Sequence, residues 1–407
     1  MIRNLCFTLG VLMASVAQAA DRSSPPLVES YLVEGRLAEA ATALTAHMKE
    51  DPTDAQAQYG LGVVRLLQAV EGLAQNLHRY GLKSTSPQLP FVRLPVPQNP
   101  NPEKLTYEKW RGILQQFNDD LDRAAAVLAE VKDPDVKLCL PVGMIRLDLD
   151  GDGTAGQDET FWKVFTRVAW RAAKLSNEQK RFPIGFDAAD VHWMIGYTHL
   201  LRAMVEAWLA YDTEGFFGQT AHFFFAGVEL PYEGLGVGKS DQGFDINQIA
   251  DAVAAIHLVH FQLADSQRLS RAREHLLAMI DQSRLCWENA LAEKDDDREW
   301  IPNANQTSLT PLTVNEERIA AWKRFLDEAE AVLEGDKLLP HWRVKDGRGI
   351  NLKRVFEEPR TFDLVLWAHG AAALPYLEEG ELVTRETARS LSGAFQGRFL
   401  AFAVWFQ

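Results

Sequence analysis

Apolar residues recur with a helical period along most of this 407-residue chain, and that period limits the fold more than any other feature. Between Thr106 and Val131, the residues Trp110, Ile113, Leu114, Phe117, Leu121, Ala124 and Leu128 fall on one stripe. A helix with one buried face requires that spacing. The same pattern predicts two or three helices over 28–80 and further helices at about 159–175, 187–211, 246–264, 267–293 and 314–334. Two more, about 362–377 and 384–405, finish the chain. Strands do not alternate with these helices, so a parallel sheet is not expected. After Leu339-Pro340, Trp342–Lys345 and Ile350–Leu352 flank Asp346-Gly347-Arg348-Gly349 and read as a short hairpin. The expected class is mostly α, a multi-helix bundle with a small C-terminal β-hairpin.

Charge narrows the partners. Acids number 56 against 42 bases, for a net charge of −14, so the chain offers no surface to neutralise phosphates and no nucleic acid is expected. Residues 1–19 read as a cleaved signal peptide: Arg3, an apolar stretch from Leu5 to Val16, then Ala17-Gln18-Ala19 as a small-x-small processing site. That stretch is too short to span a bilayer, which takes about 20 apolar residues. The most apolar later run, Val191 to Tyr211, is interrupted by Arg202, Glu206 and two histidines, so it reads as a buried helix. The expected address is periplasmic or secreted, in bacterial style, with no integral membrane segment after signal cleavage. Cys139 and Cys286 would remain; whether they pair or stay separate is open.

In the first helices, Tyr31, Gly35, Ala40, Leu44 and Pro52, then Ala57, Gly60 and Val63, stand at spacings that resemble tetratricopeptide repeats. The resemblance covers about 45 residues. It implies helix-turn-helix packing through small residues. His47 occupies a place where the repeat prefers a small side chain, and no third unit follows, so a peptide-binding array is not expected. Six prolines between 87 and 102 then form an extended connector, read as a strap across the helices. The expected division is 1–19 signal peptide, 20–82 tetratricopeptide-like helices, 83–105 Pro-rich connector, 106–335 helical domain, and 336–407 C-terminal hairpin plus helices. Within the helical domain, 213–245 is rich in glycine and phenylalanine and too long for a simple connection; it covers a pocket or plugs the core.

One segment carries chemistry. Residues 148–159 read Asp-Leu-Asp-Gly-Asp-Gly-Thr-Ala-Gly-Gln-Asp-Glu. They fit D-x-D-x-D-G-x5-E and resemble the EF-hand calcium loop. Calcium takes six to eight hard oxygens at about 2.3–2.6 Å. The resemblance implies Asp148, Asp150 and Asp152 as carboxylate ligands. Thr154 would ligate through its carbonyl, Gly156 through a water, and Glu159 through both carboxylate oxygens. Gly153 permits the sharp turn. Three departures stand out. Pro141 and an extended 142–147 leave little room for an incoming helix. Ala155 replaces the branched aliphatic residue that pairs two loops. No second loop is present, since Asp241–Asp245 and Asp295–Asp297 lack the spacing and the closing Glu. A lone loop fits a structural ion better than a calmodulin-like switch.

Other constellations are weaker. His192, His199 and Glu206 lie seven apart, about 10.5 Å per step along a helix, too far to share one metal. His257 and His260 stand three apart on an expected helix, so both imidazoles would share one face, but two ligands make no zinc site. Gly234–Gly238 has the spacing G-x-G-x-G and follows no strand. Arg343, Arg348, Arg354 and Arg360 have Asp346, Glu357 and Glu358 beside them as partners. The expected function is an exported calcium-binding helical protein, the ion structural and Ca2+ the only cofactor, in a protein-interaction or scaffold role with an envelope protein as the partner class. The alternative is a periplasmic, hydrolase-like enzyme. It would have a His-lined pocket under 213–245, near His199, His222, His257 or His260. A third reading is calcium-regulated binding of an envelope partner. Sequence does not set the oligomeric state.

Overall fold

Each of the five longest helices among the described residues starts where a short polar side chain satisfies a first free N–H group. In the computed structural model, which describes residues 25–84, 96–164, 176–228, 246–307, 313–384, 393–395 and 399–406, the Asp54 carboxylate accepts the Ala57 N–H at 2.9 Å and opens α3 (Ala55–Arg79). Thr106 opens α4 (Tyr107–Leu128) in the same way, through the Lys109 N–H at 3.3 Å. Ahead of these lie α1 (Glu29–Glu34) and α2 (Leu37–Glu50). After α4 come β1 (Leu138–Pro141), α5 (Asn177–Arg181), β2 (Pro183–Phe186) and α6 (Ala188–Leu209). Then follow β3 (Tyr211–Asp212), α7 (Glu214–Phe224), α8 (Ile246–Leu258), β4 (His260–Leu263), α9 (Ser266–Ala292) and α10 (Glu316–Glu334).

The chain is mostly helical, as its periodicity requires. The most extensive packing joins α6 to α9; α4 lies against α6, and α3 against α4. The two largest hydrophobic cores among the described residues follow from this packing. One joins Leu32, Leu44, Tyr59, Val64, Leu128, Leu138 and Met194, so α1–α3 pack onto the β1–β2 ribbon and α6. The other joins Trp287, Trp322, Phe395, Phe402 and Phe406, where the last helix, α13 (Phe399–Phe406), inserts between α9 and α10. Cys286 is buried in that second core, and Cys139 is exposed on β1; both are free thiols. Among the described residues, no helix is long and apolar enough to cross a membrane.

Strands fill the corners. β1 pairs antiparallel with β2, with Leu138 opposite Phe186. β4 pairs with β3 and with β7 (Phe362–Asp363). This splits the helix expected over 246–264: α8 stops at Leu258, and the next residues extend so that Phe261 can pack among Trp208, Phe216 and Phe362. The hairpin exists, but its strands are β5 (Lys337–Pro340) and β6 (Arg348–Ile350), with Leu339 opposite Ile350. Trp342–Lys345 belongs to the connection instead. There the His341 imidazole Nδ1 accepts the N–H groups of Arg343 and Val344, at 3.0 and 3.1 Å, which a strand would have used in its ladder.

The helix expected over 362–377 is also broken. After β7 come α12 (Leu364–His369), a 3-10 segment Ala371–Tyr376 and β8 (Leu377–Glu379), which pairs with β6. Between β6 and β7 lies α11 (Leu352–Glu357). β9 (Glu381–Leu382) then pairs in parallel with β5, a short parallel ladder that the sequence pattern did not suggest. The connector before Glu103 runs beside the end of α3. Asn99 donates to the His78 carbonyl at 3.1 Å, and the Glu103 N–H to the Arg79 carbonyl at 2.9 Å. Residues 1–19, 85–95 of the connector, 165–175, 229–245 (with Gly234–Gly238 and Asp241–Asp245) and 385–392 lie outside the described residues.

Candidate metal centre

The chain from Arg146 to Phe161 turns back on itself. An isolated antiparallel bridge joins Arg146 to Thr160, and the Phe161 N–H donates to the Ile145 carbonyl at 2.8 Å. Within this neck, acidic side chains fold the loop by accepting its own N–H groups. Asp148 accepts from Gly151 at 2.8 Å and from Gly153 at 3.0 Å. Asp150 accepts from Asp152 at 3.2 Å, and Asp152 from Thr154 at 2.8 Å. Glu159 closes the loop, accepting from Leu149 at 2.8 Å and from Gly156 at 2.7 Å. Gly153 has φ 90°, a left-handed conformation that L side chains rarely adopt, which is why glycine stands at the turn.

The result is a convergent acid group. One oxygen each from Asp148, Asp150 and Glu159 lie within 4.8 Å of one another. Oxygens on one calcium ion, each about 2.3–2.6 Å from it, stand at most about 5 Å apart. The donor set is all hard oxygen, which suits that ion. Asp152, Thr154 and Gly156 are exposed, and Asp152 does not belong to the convergent trio. Glu159 is buried, and burial raises its carboxyl above the ordinary range. Its two N–H donors oppose that rise, and the charges of Asp150 and Asp148 add to it.

The surroundings differ from a paired EF-hand. No α-helix enters the loop: β1 and one 3-10 turn, Val142–Met144, come first. On the far side a 3-10 turn, Gln157–Glu159, leads into helical residues 161–164. Ala155 meets α1 rather than a second loop: a Cβ built on Gly35 would fall inside the Ala155 methyl.

Helix α3 contributes two residues that sequence reasoning missed. Glu71 accepts the Asp148 N–H at 2.8 Å, and Gln75 donates to the Asp148 carbonyl at 2.8 Å. Burial pushes the Glu71 carboxyl up to about 7; its N–H partner opposes this, and the charges of Asp148 and Glu159 add to it. Nothing in the local pattern of α3 marks this pair, because the partner lies more than 70 residues along the chain.

His199, His222, His257 and His260 do not all meet in one site. His192 pairs with Gln282 at 2.8 Å, and His199 with His275 at 3.0 Å. Glu206 is buried and binds Arg268 at 3.0 Å and Arg271 at 3.2 Å. His257 ends α8 and His260 lies in β4, so they do not share a helix face as expected; the chain leaves the helix between them. Both line a cleft of about 610 Å³ beside α7, with Asp212, Phe216, Phe261 and Asp363. There His260 Nδ1 stands 2.9 Å from Asp363. His222 lies on α7 and is not among the residues lining that cleft. Arg348 pairs with Asp346 at 2.7 Å, and Arg354 with Glu358 at 2.7 Å and Glu378 at 2.9 Å. Arg360 lies over the Tyr376 ring, and Arg343 reaches His369 at 3.3 Å. No family model, curated protein or solved structure matches this chain.

Proposed function

We propose that this chain is an exported calcium-binding protein, with tetratricopeptide-like first helices, in which the ion at 148–159 is structural. The single observation that carries the reading is the convergence of Asp148, Asp150 and Glu159 within 4.8 Å. The ligands are Asp148, Asp150, Asp152, the Thr154 carbonyl, a water at Gly156, and Glu159. The ion's role follows from what the loop touches. Leu32 of α1 accepts the Arg146 N–H at 3.0 Å, and Glu71 and Gln75 of α3 grip Asp148, so fixing the loop fixes the first helices to the bundle. A lone site of this kind binds at the weak end, with Kd on the order of 10⁻⁵–10⁻³ M, which suits a calcium-rich compartment. The clamped helices serve as a scaffold for an envelope protein partner. Calorimetric titration of residues 20–407 tests the reading. A calcium-binding event in that range that Asp150→Ala removes supports it; a titration that Asp150→Ala leaves unchanged, or no saturable heat up to several millimolar, contradicts it.

One observation favours a second reading, a hydrolase-like enzyme. The His260–Asp363 pair faces a cleft, and a carboxylate on Nδ1 orients an imidazole as a general base. The described lining has no hydroxyl or thiol nucleophile, so water would attack. Turnover of chromogenic esters or phosphoesters, lost in His260→Ala, would support it. Asp363 also caps α12 through the Leu366 N–H at 2.8 Å, which accounts for that carboxylate without catalysis.

A further inference from the structure

Six carboxylates from two stretches of chain meet where α6 begins and α9 ends. Asp187 and Asp190 open α6, Glu293 follows the last turn of α9, and Asp295, Asp297 and Glu299 come next. Lys137 serves the outer members, reaching Glu293 at 2.8 Å, Asp295 at 3.2 Å and Asp297 at 3.5 Å. The inner members are Asp187, Asp190 and Glu299, at 6%, 1% and 1% exposure. One oxygen of each lies within 4.8 Å of the others. Among the described residues, no Lys or Arg forms an ion pair with any of the three.

Backbone groups take only part of this oxygen surface. Asp187 accepts the Ala189 N–H at 2.6 Å, Asp190 the Asp187 N–H at 3.1 Å, and Glu299 the Asp297 N–H at 3.2 Å. Oδ1 of Asp190 and Oε2 of Glu299 are buried with no partner. An independent element adds a third such atom. The Tyr59 hydroxyl, on α3, is fully buried and unpartnered, and its phenol feels the charges of Asp190 and Asp187. Buried polar atoms are nearly always satisfied, and buried charges are paired or coordinate metal.

We propose that Asp187, Asp190 and Glu299 hold a second, interior divalent cation of the hard, oxygen-seeking class, with Glu293 beside it and the Tyr59 hydroxyl placed to bond a water in its shell. The donors are carboxylate and phenol oxygens, which favour calcium or manganese over zinc. The ion would staple the start of α6 to the end of α9, the most extensively packed helix pair in the fold.

The test counts ions in residues 20–407 carrying Asp150→Ala/Glu159→Gln, which silences the surface loop. After dialysis against calcium or manganese, elemental analysis should find one ion per chain, against two in the wild type. Adding Asp190→Asn/Glu299→Gln should bring the count to zero with the helical circular dichroism kept. Tyr59→Phe in the loop-silenced chain should weaken manganese binding several-fold, read by water-proton relaxation, and stands in if the combined variant fails to fold. A loop-silenced chain that is folded and retains no ion overturns the proposal, and so does an ion that survives Asp190→Asn/Glu299→Gln. One ion in both wild type and loop-silenced chain, lost only with the interior substitutions, would sink the surface-loop reading and leave this one standing.

Discussion

Gly35 and Ala155 share a gap with no room for another carbon: a Cβ on Gly35 would fall inside the Ala155 methyl. Gly35 ends α1 with φ 72°, and Ala155 sits at the loop position where a paired EF-hand carries a branched aliphatic residue. The small residue is therefore the loop's fit to α1. Ala155→Val is expected to destabilise the protein by about 1–3 kcal/mol, the usual cost of overpacking, although it restores the usual loop residue. Gly35→Ala is expected to cost at least about 1–2 kcal/mol from the left-handed backbone alone. Denaturant midpoints at fixed m-value check both. An unchanged midpoint for Ala155→Val would mean that loop and α1 do not touch.

Glu71 makes metal-free stability depend on pH. Its carboxyl is raised to about 7 when folded, against an ordinary 4.5, so the folded chain takes up a proton that the unfolded chain does not between those values. Stability from this group is therefore present at low pH and is lost as pH rises through about 7. Glu293, also pushed up to about 7, acts in the same direction. In chelator the melting temperature should be higher at pH 6 than at pH 8.5, and Glu71→Gln should shrink that difference.

The His199–His275 pair acts with the opposite sign. Burial lowers both imidazoles, His275 to about 4, with the charge of Arg202 adding to the effect. They stay neutral in the fold while the unfolded chain protonates near 6.5, so stability is lost as pH falls from about 6.5 towards 4. His275→Gln should flatten this acid limb in melting curves between pH 6.5 and 4.5.

The chain's last helix is structural. Phe406 is fully buried, its ring 4.8 Å from Trp287 and 5.9 Å from Trp322, and its carbonyl accepts from Ser283 at 3.2 Å. Phe406→Ala should cost about 3–5 kcal/mol, read as a lower denaturant midpoint. A change under 1 kcal/mol would mean that the second core does not depend on this helix.

What the sequence made legible was local. The stripe through Trp110, Phe117 and Leu121 became α4, and the twelve-residue spacing became a loop whose Asp148, Asp150 and Glu159 converge. What it hid depends on distant partners. Glu71 is an ordinary helical glutamate until Asp148 is folded against it. Asp187 and Asp190 read as a helix start, and Asp295–Asp297 as an acidic run without the calcium spacing; only the meeting of α6 with the end of α9 puts them together with Glu299. The split at Leu258 was hidden for the same reason, because β4 exists through its pairing with β3 and β7 rather than through its own pattern.

The most direct test of the central claim is thermal unfolding of residues 20–407 in chelator, calcium or magnesium, for the wild type and for Asp150→Ala/Glu159→Gln. Calcium at about 100 times its Kd should stabilise the fold by roughly 2.7 kcal/mol for that site, a rise of a few degrees that magnesium does not reproduce and that falls in the variant by the loop's share. Equal calcium responses in wild type and variant, or none in either up to several millimolar, would contradict the account.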